Sequence, residues 1–133
     1  MRKTNLILIV IILAAALFSY AQDIQLPMQK DSVKFAVIGD NGTGGKAEYQ
    51  VADKLAAAQK KFPFGFVVMM GDNLYGGESP KDFVDKFERP YKALLDAGVK
   101  FQATLGNHDD PARQISYEKF NMGGKRRENR ADG

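Results

Sequence analysis

The sequence predicts an α/β fold in which strands and helices alternate as β-α-β-α-β-α around a parallel sheet. The residues that follow the predicted strands, Asp40, Asp72 and Asn107, are 32 and 35 residues apart, about the length of one strand–helix unit. Three apolar runs define these strands, and each ends at a glycine followed at once by Asp or Asn: Val33–Ile38, Phe66–Met70 and Val99–Leu105.

The segments between the strands have helix signals of their own. Ala47–Lys61 has apolar residues at helical spacing and lysines at its end, where cations favour the helix dipole. Ser79–Pro80 predicts the start of a second helix, which Pro90 breaks and which ends at Gly98. We expect a last helix over Pro111–Phe120, which completes the alternation.

The amino terminus has the layout of a secretory signal. Arg2 and Lys3 precede Leu6–Phe18, an uninterrupted apolar run of 13 residues, and small residues lead up to Ala21. The run is shorter than the roughly 20 apolar residues that a membrane span needs. We therefore expect a signal peptide over residues 1–21 and a secreted or periplasmic protein without stable membrane insertion after cleavage, an uncleaved anchor being the alternative.

Composition divides the remaining chain into three segments. Residues 22–32 are a polar lead-in, residues 33–122 form one small domain, and the basic tail, 123–133, should be disordered because it has almost no apolar residues. Without Arg2 and Lys3 the net charge falls from +3 to +1, and no basic stripe interleaved with aromatic residues indicates a nucleic-acid partner. The absence of cysteine excludes disulfides and thiolate zinc sites, which leaves oxygen and imidazole ligands.

Polar side chains follow all three predicted strands. Parallel strands joined by right-handed crossovers end on the same edge of a sheet, so Asp40, Asp72, Asn107 and His108 should lie close together. Each Asp alone has an ordinary role as a helix cap or turn former, and the histidine alone has one as a surface residue. Together, three oxygen ligands and an imidazole predict a metal-centred hydrolytic site.

The glycine-rich segment Gly39–Ala47 also suggests two phosphate-binding motifs. A P-loop requires glycine at the position of Asp40 and Ser or Thr at that of Ala47, so this motif fails at both ends. A dinucleotide fingerprint fits Gly42-x-Gly44-x-x-Ala47, but it does not account for Gly-Asn-His-Asp after the third strand. A dinucleotide-binding module therefore stays as the weaker alternative.

Three motifs make the chain resemble the calcineurin-like metallophosphoesterases, and within them the purple acid phosphatase branch: Gly39–Gly42, Gly71–Tyr75 and Gly106–Asp109. They match Asp-x-Gly, Gly-Asp-x-x-Tyr and Gly-Asn-His-Asp/Glu of that branch in order and without a substitution. The resemblance covers residues 33–122 and implies a β-α-β-α-β-α half of a four-layer α/β/β/α sandwich. It also implies a secreted acid phosphatase-like hydrolase that acts on phosphate monoesters.

The resemblance implies roles for five residues. Asp40, Asp72 and Tyr75 would ligate a first metal, usually ferric iron in this branch, while Asp72 would bridge to a second, divalent metal that Asn107 also ligates. The implied cofactor is a dinuclear centre of Fe with Fe, Zn or Mn, which supplies a hydroxide nucleophile near neutral pH. His108 would not bind metal but would face the substrate, stabilising the phosphoryl group or protonating the leaving oxygen.

The chain departs from the family pattern in its histidines. Gly42 stands where many relatives outside this branch have a histidine ligand, and Tyr75 is available instead. The later motifs Val-x-x-His and Gly-His-x-His are absent, since His108 is the only histidine of the chain. By the family pattern the second metal would lose two ligands, so the activity of a chain of this length is in question.

Two further expectations follow from this departure. By the family pattern only about half of the two-sheet core is encoded, so one face of the predicted sheet should be open and available for self-association. Composition turns polar and basic near Gly124, which indicates a truncation there. The alternative function is a non-catalytic remnant of the fold that binds one metal ion or a partner chain.

Overall fold

The computed structural model describes residues 29–122, in which a three-stranded parallel sheet carries helices on one face. Phe35 pairs with Phe66, and Phe66 pairs with Lys100, so the three strands end level with one another at their carboxyl ends. The strands adjoin in sequence order and are β1 (Phe35–Ile38), β2 (Phe66–Met69) and β3 (Lys100–Ala103). The predicted α/β class is confirmed.

Each strand is shorter than the apolar run that predicted it. The amide of Thr104 donates to the Met69 carbonyl at 2.9 Å, and Leu105 already belongs to the loop beyond β3. Val33 lies before β1 and is 75% exposed, so its apolar side chain contributes little to the core. The predicted signal peptide (1–21), most of the lead-in and the basic tail (123–133) lie outside the described residues.

The helices follow the strands in the predicted order, but the second segment contains a π-helical turn and the last helix is divided. Ser79 caps α2 in a reciprocal capping box with Asp82, and Pro90 separates a π-helical turn from α3. No helix among the described residues is both long and apolar enough to cross a membrane. The helical elements are α1 (Lys46–Lys61), α2 (Pro80–Phe83), the π turn (Val84–Glu88), α3 (Lys92–Asp96), α4 (Pro111–Gln114) and a 3₁₀ helix (Glu118–Phe120).

The expected last helix over Pro111–Phe120 is divided into α4 and the 3₁₀ helix by an extended residue, Tyr117. The Tyr117 ring stacks on Phe83 with centroids 4.2 Å apart, and its hydroxyl donates to Glu88 at 2.6 Å. These long-range contacts hold Tyr117 in its extended conformation, and a continuous helix would lose them.

The core lies between the helices and one face of the sheet. Val67 and Phe101 are paired neighbours on this face and are buried together with helical aromatic residues. Phe87 meets Phe101 edge to face with ring centroids 4.9 Å apart, and it meets Phe120 in the same manner at 4.9 Å. This packing holds β2 and β3 in place, and with them the loops at their carboxyl ends.

The opposite face of the sheet is open among the described residues. Phe35 and Val37 of β1 are 49% and 56% exposed there, and Phe35 stacks on Phe66 with ring centroids 5.3 Å apart. The expected open face is therefore present in this part of the chain. Self-association through it stays a prediction.

Candidate metal centre

The loops that follow the three strands meet at the carboxyl edge of the sheet. The amide of Tyr75 donates to the Gly42 carbonyl at 3.0 Å, which joins the second loop to the first. The amide of His108 donates to Asp72 Oδ1 at 3.0 Å, which joins the third loop to the second. Residues up to 36 positions apart in the chain are thus brought together as parallel strands require.

Two carboxylates and one phenol converge at this edge. The Tyr75 hydroxyl lies 3.0 Å from Asp40 Oδ1 and 3.2 Å from Asp72 Oδ2, and donates toward both. Burial, followed by the hydrogen bonds to the two carboxylates, raises the pKa of Tyr75 to about 12. The phenol therefore keeps its proton at neutral pH, and a cation that binds to its oxygen must displace that proton.

Asp40 and Asp72 share an uncommon backbone conformation. Their φ angles are +51° and +50°, in the left-handed region, which Asp tolerates better than most residues. The N-caps of α1 and α2 are Gly45 and Ser79, so neither Asp has the helix-capping role that a lone Asp often has. Sparsely populated conformations held by the surrounding fold are concentrated at functional sites, and here both acidic candidate ligands have one.

Glycines allow the three loops to approach this closely. Gly42 has φ of +72°, and a Cβ at this position would lie 1.8 Å from the carbonyl oxygen of Asn73. A Cβ at Gly106 would lie 2.2 Å from Asp72 Oδ1. The first loop thus lies backbone to backbone on the second, and the third packs directly against a candidate ligand. The sequence marks Gly42 as a motif glycine and as the place of a missing histidine, but it does not predict this contact.

Asn107 and His108 are both exposed, and His108 lies beside the oxygen cluster. The His108 ring is 5.2 Å from the Tyr75 ring, centroid to centroid, and tilted by 48°. A cleft of about 510 Å³ adjoins His108, and its walls include Asp110 and Arg113. The His108 side chain thus lies next to Tyr75 and also lines this cleft.

The comparison with protein families agrees with this arrangement. Residues 33–132 match the family described as calcineurin-like phosphoesterase. The chain belongs to this family. No curated protein matches the chain. Membership supports a metal-dependent phosphoesterase, a hydrolase whose family generally binds a dinuclear metal centre.

The converging side chains of this phosphoesterase fit one hard cation better than two. Within residues 29–122, no group of three or more His, Cys, Asp or Glu side chains is arranged to hold a metal ion. The converging donors are the oxygens of Asp40, Asp72 and Tyr75, which suit iron or manganese. For a second cation the predicted ligands are the shared Asp72 and the exposed Asn107.

Two charged residues that sequence reasoning did not single out support the loops of the phosphoesterase. Lys86 Nζ donates to the carbonyls of Tyr75 at 2.8 Å and Gly77 at 3.0 Å. Glu48 is 5% exposed and accepts the Gly44 amide at 2.6 Å, and burial raises the pKa of its carboxyl. Because Glu48 already accepts an amide of the glycine-rich loop, this loop is a poor cradle for a phosphate, which disfavours the dinucleotide alternative.

A buried polar network behind the centre was also missed. Asp109 is 8% exposed, while Asn73 and Gln114 are fully buried, and the three side chains are hydrogen-bonded to one another. Asp109 stood in a recognised motif but had no assigned role, and Gln114 had no sequence signal at all. The pairing joins positions up to 41 residues apart, which local pattern cannot reveal.

Proposed function

We propose that this phosphoesterase is a secreted, acid phosphatase-like phosphomonoesterase related to the purple acid phosphatase branch. The observation that supports it best is the convergence of Tyr75 with Asp40 and Asp72. A phenol in contact with both acidic candidate ligands is the arrangement that the tyrosine-containing motif of this branch implies. A bound dinuclear centre would neutralise charge on the phosphoryl oxygens and provide the nucleophile.

The chain's own residues divide the work around the phosphate. Asp72 faces Tyr75 with one carboxylate oxygen and the third loop with the other, a position suited to a bridging ligand. His108 is exposed beside the cleft, where an imidazole can donate to a phosphoryl oxygen or to the leaving oxygen.

A second candidate function is favoured by the composition of the donor set. Three converging oxygens would hold the first cation, whereas only Asp72 and Asn107 are predicted to hold the second. A chain that binds one cation tightly and the second weakly would be a non-catalytic binding remnant of the fold. This candidate retains the metal site and predicts no turnover.

Metal content and turnover of the 133-residue chain distinguish the candidates. The chain is loaded with iron, zinc or manganese, and hydrolysis of p-nitrophenyl phosphate is measured for the wild type, Asp72→Ala and Asp53→Ala. Asp53 is an exposed acid on α1, so its variant controls for the loss of a surface carboxylate. Two metals per chain and turnover, both lost in Asp72→Ala and kept in Asp53→Ala, would support the enzyme.

The other outcomes each reject a candidate. One metal per chain without turnover would reject the enzyme and support the binding remnant. A chain that binds no metal at all would reject both candidate functions. A titration with a dinucleotide completes the experiment, because saturable binding would support the dinucleotide-binding module instead.

A further inference from the structure

We propose that Asp109 is a positioning residue whose buried carboxylate fixes the loop of Asp72 against the loop of Asn107 and His108. This inference rests on the proposed function, because it assigns Asp109 the task of holding the candidate ligands in their relative places. Asp109 is not itself a candidate ligand. It acts through the backbone amides of the two loops that its carboxylate contacts.

The carboxylate of Asp109 accepts backbone amides from both loops. Oδ1 accepts the amides of Asn73 at 2.7 Å and Leu74 at 3.3 Å, while Oδ2 accepts the amide of Gly106 at 2.7 Å. Hydrogen bonds to an ionised acceptor are stronger than neutral ones, and this carboxylate is largely shielded from water. One side chain therefore ties the segment after β2 to the segment after β3.

Two buried amides complete the shell of the carboxylate. Asn73 Nδ2 donates to Asp109 Oδ2 at 3.1 Å, and Gln114 Nε2 donates to Asp109 Oδ1 at 2.7 Å. Asn73 Nδ2 also lies 2.7 Å from the Thr104 carbonyl, which anchors the network to the end of β3. Five neutral donors thus surround the carboxylate, and the three backbone amides among them belong to the two loops that it joins.

The residues that Asp109 binds are adjacent in sequence to the candidate ligands. Asn73 follows Asp72, and Gly106 precedes Asn107, so a shift of the network reaches both ligands through one peptide unit. The amide of His108 donates to Asp72 Oδ1 at 3.0 Å, and this bond depends on the spacing that Asp109 sets. A displacement of about 1 Å at a reacting centre can reduce a rate about 100-fold.

The test compares Asp109→Asn with Asp110→Asn. Asp110 caps α4 by accepting the Ala112 amide and pairs with Arg113, and Asn is an equally good N-cap, so the control repeats the chemical change one position away. Amide hydrogen exchange of the metal-free chain is measured by NMR, and Mn²⁺ affinity by calorimetry. We expect Asp109→Asn to accelerate exchange at least tenfold at the amides of Asn73, Leu74, Gly106 and His108. The amides of β2 should exchange at the wild-type rate.

Mn²⁺ affinity is the second readout. It should fall at least tenfold in Asp109→Asn, stay within twofold of the wild type in Asp110→Asn, and recover at least threefold in Asp109→Glu, which keeps both acceptor oxygens. If Asp109→Asn does not fold, Gln114→Met replaces it, because it removes one donor to the carboxylate and leaves the three backbone amides in place. Its expected loss of affinity is about threefold.

Three results decide the proposal. Exchange that rises equally in the loops and in β2 would make Asp109 an ordinary stabilising residue and overturn it. Equal Mn²⁺ affinity in Asp109→Asn and Asp110→Asn would also overturn it. A wild-type chain that takes up no Mn²⁺ would contradict the proposed function instead, and the local exchange contrast would still decide whether Asp109 holds the loops.

Discussion

A methyl group added at Gly42 tests whether the first two loops are in contact as the structure places them. Gly42→Ala puts a Cβ 1.8 Å from the Asn73 carbonyl oxygen on a backbone with φ of +72°. Gly76→Ala meets nothing within 4 Å at φ of +78°, so it carries the backbone strain alone. Gly65→Ala has neither a close contact nor a positive φ and serves as the baseline.

The structure gives a different magnitude for each variant. A left-handed conformation costs a non-glycine residue about 1–2 kcal/mol, which Gly76→Ala should lose in the free energy of unfolding. Gly42→Ala adds overpacking against a backbone oxygen, typically about 1–3 kcal/mol more, and should lose about 2–5 kcal/mol in total. Gly65→Ala should stay near the wild type or gain slightly, because alanine restricts the unfolded chain.

Urea denaturation followed by circular dichroism measures the three variants. With a slope of about 1–2 kcal/mol per molar urea for a small domain, the midpoint of Gly42→Ala should lie about 1 M below that of Gly76→Ala. Midpoints of these two variants that coincide within error would refute the contact between Gly42 and Asn73. The convergence of the first and second loops would then lose its structural basis.

Three further predictions concern the loops and the amino terminus. Lys86→Met should lower the free energy of unfolding by about 1–3 kcal/mol, because it leaves the carbonyl groups that Lys86 binds without their donor. The Lys81 side chain is 81% exposed, so the control variant Lys81→Met should stay within about 1 kcal/mol of the wild type. Urea denaturation of both variants checks this. The near-ultraviolet phenolate signal that disappears in Tyr75→Phe should titrate with a pKa of about 12, and a midpoint at pH 10 would contradict this value. Since this pKa is raised, the stability that the protonated phenol contributes is full below pH 10 and is lost as the pH rises toward 12. Amino-terminal sequencing of the exported chain should begin at Gln22, and retention of the first residues would contradict the signal peptide.

The main features of the fold and half of the candidate site follow from local pattern. Apolar runs that end at a glycine and an acid predict parallel strands and the common edge where Asp40 and Asp72 meet, because crossover geometry leaves few other arrangements. The end of the second helix at Gly98 follows from similar local chemistry. These predictions succeed because each depends on a few neighbouring residues and on a general rule of chain geometry.

The rest depends on contacts between residues distant in sequence. The π turn over Val84–Glu88 has no periodicity of its own, and Tyr117 is held extended by contacts with other elements. The pairing of Asp109 with Gln114 and the packing of Gly42 on Asn73 are likewise invisible before the loops are placed. Local pattern marks these residues as polar or flexible, and only the fold supplies their partners.

We propose that Asp40, Asp72 and Tyr75 form one cation site at the carboxyl edge of the sheet. Anomalous diffraction from crystals of the chain soaked in Mn²⁺ locates a bound ion without any assumption about activity. We predict an anomalous peak within coordination distance of all three side-chain oxygens, and its loss in Asp72→Asn crystals soaked in the same way. A wild-type peak that lies elsewhere, or that persists at the same place in Asp72→Asn, would contradict the claim.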